Sequence, residues 1–265
     1  MKKYIKWIAA LVLLAIIFII IGFFANLQDN TITFEPITGT ENIVQPVKVG
    51  YANIYFIKTQ DGYILVDAGM IGSENALDEV FSRLNIEPAS VSLIITTHGH
   101  LDHVGSLAYA KKITGAKLLC HQSLVKYLLD GEVEPAKPRN TIGRILNYLS
   151  GAKVDQVTPD IPIKEVFDLE AYGIAGKIIP TPGHSKASIT IILDNGEAIV
   201  GDMIRDEGKG KIGLGMFYED EQLLIKSLEK VASFQPRIIY LSHGNRIDFK
   251  TFQDAMIKIK EYPTV

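Results

Sequence analysis

Between Leu93 and Gly105 the chain reads LIITTHGHLDHVG, so that His98, His100, Asp102 and His103 fall within six positions with apolar residues on either side. This stretch restricts the fold more than any other. An apolar strand run that ends in alternating histidines and then enters a helix must bring four polar side chains to one point. His98 and His100, two apart at an extended strand end, point to the same side. Asp102 and His103 open the next helix, where the chain turns back over that point. Three of the chain's six histidines stand here. Imidazoles and a carboxylate gathered in this way suit a bound metal better than a hydrogen-bonded turn.

The surrounding pattern is α/β. The runs NIYFIK and GYILVDAG are β-rich and are joined by Gln60-Asp61-Gly62, a hairpin signal. Helical spacing follows at Leu77, Val80, Phe81 and Leu84, and then the strand VSLIITT. A helix at HVGSLAYAKKIT, a strand at AKLLC and a helix around SLVKYLL continue the alternation. Further strands are expected at GKIIPT, SITIILD and EAIVGD, with Asp194-Asn195-Gly196 turning between the last two. A helix with Leu223, Leu224, Leu228 and Val231 on one face, the strand RIIYLS and a final helix complete the chain. Two αβ halves packed sheet to sheet satisfy this layout. Residues of about 130–160 break the alternation and read as an insertion, either a lid or a tolerated surface excursion.

The N-terminus is of another kind. Trp7 to Leu27 carries no charge over 21 residues, enough for a helix of about 30 Å, the thickness of a bilayer's hydrocarbon core. Phe23 and Phe24 stand where a cleaved signal needs small residues, which favours an uncleaved anchor. Lys2, Lys3 and Lys6 precede the run, so residues 1–28 are expected to be a membrane anchor with a cytoplasmic N-terminus. Residues 29–265 would then form the large domain, reached through a short polar tether and lying on the extracytoplasmic side. Without those three lysines, 24 basic residues face 30 acidic ones, a formal −6 that argues against a nucleic-acid partner. Cys120 is the only cysteine. It excludes an intrachain disulfide and a thiolate cluster, and reads as a core residue.

Three more strand ends offer the same chemistry: His184 in TPGH, Asp202 in GDM and His243 in SHG. Sulfur-free nitrogen and oxygen donors suit Zn²⁺, with Mn²⁺ or Fe²⁺ as alternatives, and seven are too many for one tetrahedral zinc. Two divalent metal ions sharing a carboxylate fit the count.

THGHLDH, TPGH, GDM and SHG, in this order, resemble the metallo-β-lactamase superfamily over about Thr40 to Tyr262. The resemblance implies an αββα sandwich of two mixed sheets with metals at one edge. It implies that His98, His100 and His184 hold one metal, that Asp102, His103 and His243 hold the other, and that Asp202 bridges. Asp102 would also position a metal-activated hydroxide. Asp67, in LVDAG, matches the family's acidic residue beneath the metal loop, where it would support a ligand. Aspartate at 202, where zinc β-lactamases commonly have Cys or Ser, disfavours β-lactams. Histidine at 100 separates the chain from the family's diiron flavoproteins.

The expected function is hydrolysis of a small-molecule ester, lactone or thioester. The rivals are a phosphodiesterase of the same fold and a non-enzymatic, surface-tethered metal-binding or regulatory protein. Lys211, Phe217 and Tyr218, in the glycine-rich segment after Asp202, are substrate-contact candidates, with a plain solvated loop as the alternative. His121 is expected to serve a helix start. The oligomeric state is left open.

Overall fold

The computed structural model describes residues 30–36, 42–141, 143–144 and 152–261, with Tyr4, Trp7, Leu11, Leu14, Phe18 and Gly22. The expected anchor thus lies almost wholly outside the described residues, as does most of TIGRILNYLSG, of which Thr141, Gly143 and Arg144 are helical. Among the described residues no helix is long and apolar enough to cross a membrane.

The first sheet runs in chain order: β1 (Ile32–Phe34), β2 (Val44–Val49), β3 (Ala52–Lys58), β4 (Tyr63–Val66), β5 (Val91–Ile95), β6 (Lys117–His121) and β7 (Ile161–Ile163). Pairing is antiparallel from β1 to β4 and parallel from β4 to β7. Parallel pairing needs crossovers. These are α1 (Glu74–Leu84), the pair α2 (Leu101–Val104) and α3 (Leu107–Thr114), and α4 (Val125–Asp130) with the segment that follows it.

The second sheet uses β8 (Phe167–Asp168), β9 (Gly176–Pro180), β10 (Ile189–Leu193), β11 (Glu197–Ile199), β14 (Ile238–Tyr240) and β15 (Ile247–Asp248), in the order β15-β14-β11-β10-β9-β8. A small hairpin of β12 (Arg205–Asp206) and β13 (Ile212–Gly213) stands apart. The helices on this side are α5 (Glu221–Ala232) and α6 (Phe249–Glu261).

Three apolar clusters define the layers. One joins Ile54, Phe56, Leu65 and Ile94 of the first sheet to Leu77, Phe81, Leu107 and Leu128 of its helices. Because strand side chains alternate, the other face of the same strands, Tyr55, Ile57, Ile64 and Leu93, meets Ile178, Ile189, Ile191 and Tyr240 of the second sheet. The far face of that sheet packs Ile179, Ile192 and Ile239 against Leu224, Leu228 and Phe252. The result is helix, sheet, sheet, helix.

Both expected hairpins form, pairing Lys58 with Tyr63 and Ile191 with Ile199. Asp220 caps α5 by accepting from the Leu223 amide, and Leu223 itself is 39% exposed rather than part of the buried face. The expected tether is partly wrong, because β1 and β2 extend the first sheet. Pro46 lies inside β2, opposite Tyr55, and a proline donates no ladder hydrogen bond, so this strand is hard to read from sequence. The single helix expected at HVGSLAYAKKIT is two, α2 and α3, with Gly105 and Ser106 between them. The 130–160 region is held at both ends, with Glu134 4%, Val154 8% and Val157 8% exposed.

Candidate metal centre

Every expected ligand follows the C-terminal end of a strand or opens the helix after it. Asp67 succeeds β4; His98 and His100 succeed β5; Asp102 and His103 lie in α2; His184, Asp202 and His243 follow β9, β11 and β14. Parallel strands end together, which makes such an edge a site for ligands. The two sheets are tied there by polar bonds. The Ile189 amide donates to the Thr97 carbonyl at 2.9 Å and the Asn53 amide to the Ser242 carbonyl at 2.8 Å. The Asn53 side chain donates to the Leu241 and Gly244 carbonyls, both at 2.8 Å.

Small residues permit the convergence. A Cβ on Gly99 would lie 2.3 Å from Leu124 Cδ1 and 2.7 Å from Glu134 Cβ, so only glycine separates the two histidines here. Gly183 has φ +139°, and a Cβ there would meet the Leu224 backbone at 2.4 Å; the His184 loop therefore sits directly on the start of α5.

The side chains form two sets. His98, His100, His184 and Asp202 place ligand atoms within 4.8 Å of one another, and so do Asp102, His103 and His243. In the first set His100 Nδ1 lies 3.1 Å from His98 Nε2 and 2.9 Å from His184 Nε2. In the second, His243 Nε2 is 3.1 Å from Asp102 Oδ2. Asp202 faces both, at 3.4 Å from His103 Nε2, 3.2 Å from His243 Nε2 and 3.7 Å from His184 Nε2.

Asp67, fully buried and with φ 61°, organises the edge from beneath. It accepts from the Thr97 amide at 2.7 Å, the Thr97 hydroxyl at 2.8 Å and His103 Nδ1 at 2.8 Å. Since the Thr97 hydroxyl proton goes to Asp67, the 3.1 Å contact between Thr97 Oγ1 and His98 Nδ1 has the imidazole donating. Both imidazoles are thereby fixed through Nδ1 and turn Nε2 inward. His243 Nδ1 likewise donates to the Tyr51 carbonyl at 3.1 Å. Asp67 thus lies beneath His103 and Thr97, in direct hydrogen-bond contact with both.

The donor set fits a cation. His100 Nε2, His103 Nε2, His184 Nδ1 and Asp202 Oδ1 are buried without a hydrogen-bond partner among the described residues, although buried polar atoms are seldom left so. The two sets also differ in charge state. Burial, then the neighbouring imidazoles, push His98 well below the ordinary histidine range and His184 down to about 3. Burial acts the same way on His243 but is outweighed by Asp202 and Asp102, which push it up to about 9. Asp102 is held well below the usual carboxylate range: burial opposes this, and His103 and His243 prevail.

The three substrate-contact candidates are placed differently from one another. Tyr218 is 1% exposed, packed in the second sheet's outer core beneath the Arg139 guanidinium at 4.1 Å, so its ring is not at an open edge. Phe217 bridges to Pro138, and Lys211 pairs with Glu207 at 2.8 Å in solvent. Sequence reasoning missed Tyr51 and Arg205. The Tyr51 ring lies 4.5 Å from that of His243, and Arg205 donates to the Tyr51 hydroxyl at 2.8 Å. Arg205, three residues after Asp202, was the available signal. His121 accepts from the Ser123 amide and starts a short helix, as expected. Cys120 is buried, and burial pushes its thiol up to about 12.

The family model of the metallo-beta-lactamase superfamily matches residues 47–243, which include every one of these ligands. The chain belongs to that superfamily. Among relatives, it is similar to the probable metallo-hydrolase YflN of Bacillus subtilis, 24% identical over 82% of this chain and 89% of that one. It is also similar to the probable metallo-hydrolase MJ0888 of Methanocaldococcus jannaschii, 31% identical over 61% of this chain and 72% of that one. The metallo-beta-lactamase fold is shared with a solved beta-lactamase from Chitinophaga pinensis, with a TM-score of 0.60 and 18% identity over 86% of this chain and 96% of that one.

Proposed function

We propose that this chain is a two-metal hydrolase of an ester, lactone or thioester, with His98, His100 and His184 holding one divalent cation and Asp102, His103 and His243 a second. Family membership and the metallo-hydrolase relatives support a metal-dependent hydrolase acting on a small molecule. The observation that carries the two-metal reading is Asp202, a buried carboxylate with one oxygen 3.4 Å from His103 of one set and the other 3.7 Å from His184 of the other. Nitrogen and oxygen donors without sulfur suit zinc first, and manganese or iron next.

When bound, two such cations supply an activated water and a Lewis acid for the scissile group. The chain's own residues set the geometry. Asp67 and Thr97 orient two imidazoles, and the Asp102 carboxylate offers an acceptor to the attacking water. Arg205, held on Tyr51 beside His243, offers a cation to an anionic part of the substrate. The uncharged Trp7–Leu27 run supports an anchored protein with its domain, residues 29–265, outside the cytoplasm. Protease added to intact cells should then remove the domain, and protection would reverse that topology.

The function is tested by proton release from the metal-loaded protein against lactones, thioesters, β-lactams and phosphodiesters, with Asp202→Ala as control. Acid from the wild type on the acyl substrates alone is expected. Turnover of phosphodiesters instead would replace the substrate class, and turnover unchanged in a metal-depleted His98→Ala protein would sink the mechanism.

A further inference from the structure

Glu134 lies four residues beyond α4, in the region that breaks the strand–helix alternation, and it is only 4% exposed. A carboxylate so deeply buried must be compensated, and no lysine or arginine pairs with it among the described residues. Its partners are backbone amides of the two loops that carry the three-imidazole set. Oε2 accepts from the Gly99 amide at 3.2 Å, between His98 and His100. Oε1 accepts from the Lys186 amide at 3.1 Å and the Ala187 amide at 3.2 Å, just after His184. The Glu134 amide in turn donates to the Gly99 carbonyl at 2.7 Å. Gly99 and Ala187 belong to different sheets' loops and meet through this one side chain.

We propose that Glu134 is a positioning residue, a carboxylate clamp that sets the spacing of the His98–His100 loop against the His184 loop and so tunes metal affinity at the three-imidazole set. The inference rests on the reading of that set as a metal site. The segment around Glu134 is then a brace of the metal edge rather than a lid. It is secured on its other side as well: the Arg139 amide donates to the Met216 carbonyl at 2.8 Å, and its guanidinium donates to the Tyr218 and Glu219 carbonyls at 2.8 and 2.6 Å. The Glu219 amide donates to the Gly183 and His184 carbonyls at 2.9 and 3.0 Å, which closes the circuit at the same ligand loop.

Geometry distinguishes a clamp from a space-filler. Both carboxylate oxygens are used, one per loop. Glutamine keeps the volume and offers one acceptor, so its amide group must confront the donors of one loop. The test is cobalt titration of the full-length protein, comparing the wild type with Glu134→Gln and Glu134→Ala, and with His98→Ala and His243→Ala to mark the two sets. Both Glu134 variants should lose about 10–100-fold in affinity at the His98-sensitive set, with a shifted cobalt absorption there and the His243-sensitive set retained. Wild-type affinity and spectrum in Glu134→Gln would overturn the clamp, since a packing role leaves that variant unaffected. A wild type with no His98-sensitive cobalt would instead fail the metal reading, which is a separate outcome. Should the variants not fold, hydrogen exchange in the metal-free wild type decides. The Gly99, Lys186 and Ala187 amides should be protected as well as those of β5 and β10, and rapid exchange at these three would overturn the proposal.

Discussion

The two halves of the metal edge are built from similar residues and differ in electrostatics. The His98, His100 and His184 set is three buried imidazoles around one another, and desolvation keeps them neutral, with His184 down at about 3. The Asp102, His103 and His243 set mixes carboxylates with imidazoles, and there the charges overcome desolvation and carry His243 up to about 9. The imidazoles of both sets are buried, so exposure does not cause the difference. The nearest neighbour does: imidazole beside imidazole disfavours protonation, and carboxylate beside imidazole favours it. Asp202 brings one carboxylate to both halves, 3.7 Å from His184 Nε2 and 3.2 Å from His243 Nε2.

The largest expected effect comes from removing that shared group. Asp202→Ala should weaken metal binding at both sets and lower turnover by more than about 100-fold, beyond what loss of an outer partner costs. Metal content measured beside turnover checks this, and loss confined to one set would break the symmetry argued for Asp202. Asp67→Asn comes next. The side-chain oxygen can still accept from the Thr97 backbone amide, but the NH₂ then replaces the oxygen that accepts from both the Thr97 hydroxyl and His103 Nδ1. Affinity should fall about 10–100-fold, most at the His103 side, which is bonded to Asp67 directly. Titration of each set separates the direct bond from the one relayed through Thr97 to His98.

Proton release sharpens the same contrast. At pH 7 the metal-free protein holds protons on both His103 and His243 that a metal must displace, while His184, pushed down to about 3, has no such proton to lose. Uptake at the carboxylate-bearing set should release protons below about pH 9 and tighten as pH rises, and uptake at the three-imidazole set should vary little between pH 5 and 8. Calorimetry in buffers of different ionisation enthalpy measures both. The smallest effect is expected at Arg205→Ala, which should raise KM about tenfold for anionic acyl substrates and leave kcat and neutral substrates unchanged. An equal loss for neutral substrates would place Arg205 in support of Tyr51 and His243 instead.

Much of the site was legible because its signals are local. HGHLDH carries strand end, turn and helix start in one stretch, and the apolar runs before His184, Asp202 and His243 announce three more strand ends. The same local logic failed at Pro46, whose missing donor hides a strand that the partner β3 nevertheless accepts. It did not reveal the burial of Tyr218, which follows a glycine-rich segment and is packed in the core. It could not reach Glu134, one acid in the polar stretch DGEVEPAKPRN, because nothing near it in the chain distinguishes it from a solvated one.

The sequence by itself determined the alternation of strands and helices, their apolar faces, the hairpin turns and the chemistry of the seven donors, since each depends on residues within a few positions of one another. The tertiary structure alone decided which imidazole nitrogens turn inward and that Glu134 reaches both ligand loops, while the division of the donors into two sets was implied beforehand only by the family resemblance. The bonds of Glu134 to the Gly99 and Lys186 amides and the contact of His184 with His100 span 35 to 84 positions of chain. Their partners are selected by the packing of one sheet on the other and by the need to pair every polar group buried there.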